Sequence, residues 1–115
     1  MKKVDFKEVM PYKAPLHFDC ATLKLQGLEE TGASKFWMGV THFLPGGGAE
    51  YAYEDSPTEK VYIVLEGEVL VKSKTEEFLL KKMDSIFIGP NEGREIINKT
   101  NMPATMLVVV NYPEA

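Results

Sequence analysis

The sequence predicts an all-β fold, and two observations carry that prediction. Short segments rich in aromatic and β-branched residues recur along the chain, and clusters of glycine, proline and asparagine separate them. Helical periodicity is weak throughout, and its strongest candidate, LEETGASK at residues 28–35, is interrupted by Gly32. Several short strands at close spacing are typical of a sandwich or a small barrel, in which closure of the sheet removes exposed strand edges.

The first predicted strand is KFWMGVTHFL at residues 35–44, which we expect to end at Pro45. The glycines at 46–48 lack the lysine and hydroxyl residue of a phosphate loop, so we interpret them as a flexible turn over the barrel mouth. The next strand, KVYIVLE at Lys60–Glu66, is apolar on both faces, which predicts burial between two sheets. Gly67 then predicts a tight turn or bulge into EVLVKS.

The remaining strands are predicted in the second half of the chain, at residues 78–80, 85–88, 95–98 and 105–111. Turn-forming residues at 89–93 and 101–103 separate the later ones. The last strand, TMLVVVN, is again apolar on both faces.

Length and composition predict one domain over residues 1–115, with residues 1–30 as an N-terminal arm or edge strand and residues 35–112 as the barrel. The net charge of −4 repels phosphate backbones, so nucleic acid is not an expected partner. The charged N-terminus and the short apolar runs favour neither a signal peptide nor a membrane span. A single cysteine, Cys20, is typical of a reducing compartment, and we expect a cytoplasmic protein.

Two stretches resemble the paired motifs of the cupin family, whose fold is a double-stranded β-helix or jelly-roll barrel. PGGG…EKVYIVLEGEV, with Gly67 near its end, is similar to the first motif, and MDSIFIGPNEGREIIN, ending at Asn98, is similar to the second. The resemblance implies a small-molecule pocket between the motifs and assembly as a homodimer. Residues 35–44 agree with a homodimer, because they offer more aromatic surface than a small barrel readily buries.

The residues that bind metal in the family are replaced in this sequence. The first family motif carries H-x-H and then a glutamate, and the second motif carries a histidine. Lys60 lies at the position of the glutamate and Arg94 at that of the second-motif histidine. The H-x-H pair maps onto Tyr53 and Asp55, or onto Tyr51 and Tyr53 if the loop is longer. The resemblance with these departures implies a site that uses no metal cofactor.

The replacing residues suit an anion, because arginine grips carboxylate or phosphate with two hydrogen bonds and lysine adds a mobile charge. Strand alternation gives Lys60 and Tyr62 a shared face, and gives Arg94 and Asn98 another. Lys60, as a base or nucleophile, and Tyr53, as a proton carrier, are the predicted catalytic residues. The predicted ligand-binding residues are Arg94, Lys60, Tyr53, Asp55, Tyr62, Asn98 and His42, although parity leaves open which face His42 occupies.

Three functions stay open from the sequence. The favoured one is a pocket that binds or transforms a small anionic or sugar-like molecule, as an isomerase or lyase if it is an enzyme. The second is a metal-dependent dioxygenase or lyase with unconventional ligands, drawn from Glu50, Glu54, Asp55, Glu59 and His42. The third is a non-catalytic module for ligand sensing or subunit contact. If the residues have a purely structural role, Lys60 and Arg94 form ion pairs with the loop acids and fill the barrel.

Overall fold

The chain folds as an all-β barrel in the computed structural model, which describes residues 1–113. A 3₁₀ turn at Phe6–Glu8 and one short helix, α1 (Leu28–Thr31), are its helical segments within that range. The strands are β1 (His17–Gln26), β2 (Phe36–Ala52), β3 (Lys60–Glu66), β4 (Val69–Lys72), β5 (Glu77–Leu80), β6 (Ser85–Ile88), β7 (Arg94–Ile97) and β8 (Ala104–Asn111). The predicted all-β class is confirmed, and neither helical segment in residues 1–113 has the length and apolar character needed to cross a lipid bilayer.

One long strand, β2, joins the two halves of the barrel. Its first part pairs with β1 on one side and with β8 on the other, and β8 continues to β3 and β6. Its last part pairs with β7, which continues to β4 and β5. All these pairings are antiparallel, so the two halves face each other as the walls of one barrel.

The glycine run lies inside β2, and its predicted role as a flexible turn is wrong. Instead of ending at Pro45, the strand continues to Ala52, and Gly46 and Gly47 exchange backbone hydrogen bonds of 2.8 Å with Asn98. A side chain at Gly47 would collide with the carbonyl of Asp19, and one at Gly48 with the carbonyl of Ile96. The glycines are therefore required where neighbouring backbones approach β2 closely.

Two other glycines act as the sequence predicts. Gly67 has a φ of 76° and makes the tight connection from β3 to β4. Gly32 has a φ of 80° and ends α1 after a single turn, as its position in LEETGASK indicates. Both values lie in the left-handed region, which glycine adopts without steric cost.

The barrel interior changes from apolar to polar along the strands. At one end Phe43, Val64 and Met106 are almost completely buried in the main core. Further along the same strands, the cross-strand row reads Trp37, Val110 and Lys60. Apolar packing therefore fills one end of the barrel, and the other end contains a cavity.

The outer face of the β6–β3–β8 wall is apolar and partly exposed. Val61 and Phe87 are directly opposite each other on β3 and β6, and their side chains are 41% and 56% exposed. The prediction that β3 is buried on both faces is wrong, because Lys60, Tyr62 and Val64 point into the barrel and no second sheet of the described chain covers the other face.

Candidate functional site

A cavity of about 620 Å³ occupies the polar end of the barrel. Its walls come from β1, β2, β3, β7 and β8, together with the segment before β1, the loop between β2 and β3, and the residues after β8. The polar and aromatic side chains on its wall include Tyr12, His17, Lys24, Trp37, Glu54, Lys60, Tyr62 and Arg94. A volume of this size is sufficient for a small organic molecule.

Arg94, the first residue of β7, is the most deeply buried cation of the cavity, with 9% of its surface exposed. Its Nε donates to the Tyr62 hydroxyl at 2.9 Å, and its Nη1 donates to the Glu50 carbonyl at 3.3 Å. Both partners are neutral, and no carboxylate of residues 1–113 forms a salt bridge with Arg94. A buried guanidinium without a negative partner is suited to binding an anion.

Lys60 begins β3 on the same cavity wall, and its side chain is 15% exposed. Its Nζ lies 3.6 Å from Glu54 Oε2, and that glutamate is 53% exposed. Burial lowers the pKa of Lys60, the nearby Glu54 carboxylate opposes this effect, and the positive charge of Arg94 adds to it. Lys60 is therefore only partly compensated by its acidic neighbour.

His17, the first residue of β1, also lines the cavity, although the family-like motifs do not include it. Its Nδ1 lies 2.8 Å from the Pro15 carbonyl oxygen. Burial lowers its pKa, the Pro15 hydrogen bond opposes the effect, and the charges of Arg94 and Lys60 lower it further. Three groups that can carry positive charge therefore meet around one space, and burial and repulsion favour the neutral form of the imidazole.

Aromatic side chains form another part of the cavity wall. The Lys24 ammonium lies 4.8 Å from the Trp37 ring centroid and 5.5 Å from that of Tyr12. Trp37, Val110 and Lys60 are successive cross-strand partners on β2, β8 and β3. Neighbouring strands lie about 4.8 Å apart, so the backbone of Trp37 is about 10 Å from that of Lys60. A sugar-sized ligand can bridge this distance.

The structure brings three of the predicted site residues together in this cavity, namely Lys60, Tyr62 and Arg94. The two loop residues do not join them. Tyr53 is 55% exposed, Asp55 is also exposed, and neither belongs to the cavity wall. Their chain neighbour Glu54 lines the cavity instead, so the position of the loop gives no support to a site role for Tyr53 or Asp55.

Asn98 and His42 lie outside the cavity wall as well. The Asn98 side chain is fully buried, donates to the carbonyls of Phe43, Leu44 and Met102, and accepts from Thr100. Asn98 therefore connects the ends of neighbouring strands, and its side-chain amide is used in these hydrogen bonds rather than in contacts with the cavity. His42 bonds Thr105 Oγ1 at 3.0 Å and packs edge-on against Phe6, so it lies on the outer face of β2.

Sequence reasoning missed His17, Tyr12 and Trp37 as wall residues, and it named Glu54 only as a ligand of the alternative metal site or as an ion-pair partner of the cations. In HFDCATLKLQ, Thr22 and Lys24 alternate with Ala21 and Leu23, a pattern that marks a strand with a polar face. The pattern does not show which strand β1 pairs with, so the cavity could not be assigned from it.

The potential metal ligands remain dispersed. Within residues 1–113, no group of three or more histidine, cysteine, aspartate or glutamate side chains is close enough to hold a metal ion. The alternative site drawn from Glu50, Glu54, Asp55, Glu59 and His42 is therefore not assembled, with Glu54 on the cavity wall and His42 on the outer face. That the protein works without metal stays a prediction.

Comparison with known proteins identifies the family. A protein of Mycobacterium tuberculosis named β-D-galactosidase is 38% identical over 117 residues, covering 100% of this chain and 97% of that protein. A sugar phosphate isomerase of Silicibacter pomeroyi has a similar fold, with a TM-score of 0.78 and 21% identity over 96% of this chain and 76% of that one. The polyketide cyclase RemF of Streptomyces resistomycificus gives a TM-score of 0.83 and 21% identity, over 96% and 79% of the two chains. Residues 39–110 match the family described as Cupin domain, and the chain therefore belongs to the cupin superfamily.

Proposed function

We propose that the cavity binds a small sugar-like anion without the help of a metal ion, and that Arg94 and Lys60 hold the negatively charged group. The observation that carries the proposal is the buried Arg94 guanidinium, which has only neutral partners among residues 1–113. Its Nη2 has no hydrogen-bond partner in that part of the chain, so it can donate to a ligand. Lys60 lies close enough to Arg94 for the two charges to interact.

The aromatic part of the wall supports the sugar-like character of the ligand. Trp37 and Tyr12 contribute aromatic rings to the cavity wall, and Thr22 and Thr41 also line it. Apolar rings beside a few polar groups are typical of sites for polyhydroxylated ligands, whose faces are apolar and whose edges are polar. The relative named β-D-galactosidase, which matches this chain over its whole length, points to the same ligand class.

The experiment measures binding of D-galacturonate, with neutral D-galactose as the uncharged comparison, by calorimetry and thermal shift. We expect the acid to raise the melting temperature of the wild-type protein more than galactose does. Arg94→Met should weaken acid binding about tenfold to a hundredfold, because a charge-assisted hydrogen bond from Nη2 is lost. Lys60→Met should weaken it less, and Lys72→Met is the matched control, since Lys72 pairs with Glu77 away from the cavity.

The stability of the ligand-free variants distinguishes this proposal from a barrel filled by ion pairs. Arg94→Met leaves no carboxylate unpaired, and Lys60→Met leaves only the half-exposed Glu54, so we expect unchanged or higher stability. Removing one member of a buried ion pair typically costs about 3–5 kcal/mol. A loss of that size in both variants, with no acid stabilising the wild type, would contradict the proposal.

A second candidate function, hydrolysis of a β-galactoside, is favoured by the name of the full-length relative. The usual mechanism needs two carboxyl groups on either side of the glycosidic bond, about 5–9.5 Å apart. Glu54 is the one carboxylate on the cavity wall in residues 1–113. Release of nitrophenol from nitrophenyl β-D-galactoside, abolished in Glu54→Gln but kept in Glu77→Gln, would establish this activity. Release that persists in Glu54→Gln would exclude Glu54 as the catalytic acid.

A further inference from the structure

We propose that His17 makes the site selective for anions that carry a hydroxyl group next to the carboxylate, as sugar acids of the aldonic type do. The inference rests on the proposed function and narrows its ligand class from anions in general to α-hydroxy carboxylates. Its basis is the hydrogen bonding of three neighbouring wall residues, His17, Lys60 and Arg94.

The hydrogen bond of His17 defines which of its ring nitrogens carries the proton. Nδ1 lies 2.8 Å from the Pro15 carbonyl, which can only accept, so Nδ1 is the donor. In the neutral ring, Nε2 then carries a lone pair and is an acceptor. Nε2 has no protein partner within residues 1–113, so it is free to accept a hydrogen bond from a ligand.

The two cations beside His17 cannot accept a hydrogen bond, and the Glu54 carboxylate on the same wall would repel a ligand carboxylate. The ammonium of Lys60 and the guanidinium of Arg94 only donate, which suits the carboxylate of a ligand. The Tyr62 hydroxyl already accepts from Arg94. A hydroxyl on the carbon next to the carboxylate can donate one hydrogen bond, and His17 Nε2 provides a neutral acceptor for it beside those two cations.

The backbone holds His17 in place. Leu16 has a φ of 60°, an unfavourable value for leucine, and its carbonyl accepts from the Glu50 amide at 2.9 Å. His17 itself is in register with Ala49 of β2. An acceptor held in this way loses little conformational entropy when a ligand binds, so most of the hydrogen-bond energy contributes to selectivity.

The charges around His17 favour the neutral form that the proposal requires. Lys60 from β3 and Arg94 from β7 oppose a further positive charge, while Glu54 after β2 and Asp19 on β1 are the nearby acids. Burial and the two cations lower the pKa of His17. Protonation in acid turns Nε2 into a donor, so it can no longer accept a hydrogen bond from the ligand hydroxyl.

The first test is nitrogen-15 NMR of the imidazoles, and it needs no ligand. The chain has two histidines, so a His17→Asn variant assigns both spectra. We expect the neutral His17 ring to carry its proton on Nδ1. A neutral ring protonated on Nε2 would overturn the proposal, because Nε2 could then not accept a hydrogen bond from the ligand.

The second test compares the binding of D-galactonate with that of 2-deoxy-D-galactonate, which lacks only the hydroxyl next to the carboxylate. We expect wild-type protein to prefer galactonate about three- to tenfold at neutral pH, the effect of one hydrogen bond. The preference should vanish in His17→Asn, whose amide can replace Nδ1 but not Nε2, and should return in part in His17→Gln, whose longer side chain places an oxygen near the Nε2 position.

The outcomes separate this inference from the proposed function. Equal binding of both acids by the wild-type protein leaves the anion site standing and overturns only the selection by His17. A preference unchanged in His17→Asn, with the variant folded by its melting curve, also overturns it. If the protein binds neither acid, both the proposed anion site and this inference are contradicted.

Discussion

At the scale of single residues, burial determines what the polar groups of this barrel can do. Arg94 satisfies part of its guanidinium with neutral oxygens, so it adds positive charge to the cavity without a compensating acid in the described chain. Lys60 has Glu54 nearby, but that carboxylate is largely in water, which weakens the pair. His17 stays neutral more readily because burial lowers its pKa and because the charges of both cations lower it further.

The lowered pKa of His17 predicts a pH dependence of stability. The unfolded chain has the ordinary pKa of 6.5 and the folded chain a lower one, so between the two values the folded state binds fewer protons. Stability should therefore fall as the pH drops below about 6.5. Urea denaturation at several pH values should show a smaller loss in His17→Asn than in the wild type.

Comparing the wild type with His17→Asn isolates the effect of His17, since the other charged groups on the cavity wall, Lys24, Lys60, Arg94 and Glu54, are the same in both proteins. Identical pH profiles for the free energy of unfolding would show that the folded and unfolded pKa values of His17 do not differ.

At the scale of secondary-structure elements, glycines shape the barrel where strands turn or approach one another. Gly67 joins β3 to β4 in a left-handed conformation, and a Cβ there would lie 2.7 Å from the Pro103 carbonyl and 2.9 Å from the Cα of Ala104. Gly32, at the end of α1, has a similar φ of 80°, but nothing lies within 4 Å of a Cβ added there. The two glycines therefore separate the effect of backbone conformation from that of steric contact.

We expect Gly32→Ala to lower the free energy of unfolding by about 1 kcal/mol, the usual cost of a left-handed alanine. Gly67→Ala should lower it by about 2 kcal/mol or more beyond that, because β8 backbone atoms must also move. Urea denaturation measures both. Equal losses in the two variants would mean that the β3–β4 connection adjusts without strain.

At the scale of the whole molecule, the outer face of the β6–β3–β8 wall is an apolar surface that the fold leaves open. Val61 and Phe87 form a cross-strand pair on it, and Ile63, Leu107 and Val109 are half-buried beside them. The predicted contact segment at residues 35–44 is only partly available, since Trp37 lines the cavity while Phe36 and Leu44 are exposed.

This apolar wall is where we expect the homodimer to form, because apolar surface on an antiparallel sheet favours a self-complementary contact. Light scattering at micromolar concentration should give twice the mass of 12.9 kDa for the wild type. Phe87→Glu should shift the protein to monomer, and Phe78→Glu, at an exposed position on β5, should not. A wild-type monomer, or a dimer that Phe87→Glu does not affect, would contradict this prediction.

Most of the strand pattern could be predicted from the sequence alone. The β-branched runs, the turn at Gly67 and the early end of the helix at Gly32 are local effects, and the structure contains each of them. A shared site for Lys60 and Arg94 was implied by the resemblance to the paired cupin motifs, because both residues lie at positions that line the pocket in that family, and strand alternation agrees with it.

Other features depend on contacts between residues far apart in the chain. The glycine run predicted as a turn is strand because β1 and β7 approach it, and no local signal contains those neighbours. His17 reaches the cavity only because β1 pairs with β2, a pairing that strand propensity cannot specify. The sequence by itself determined the all-β class, which depends on short-range periodicity, and the resemblance of its two motifs to those of cupins indicated where the two cations lie. Only the tertiary structure decided that Arg94 has neutral partners, that Glu54 rather than Tyr53 faces the cavity, and that His42 lies outside it, because each depends on packing between distant strands.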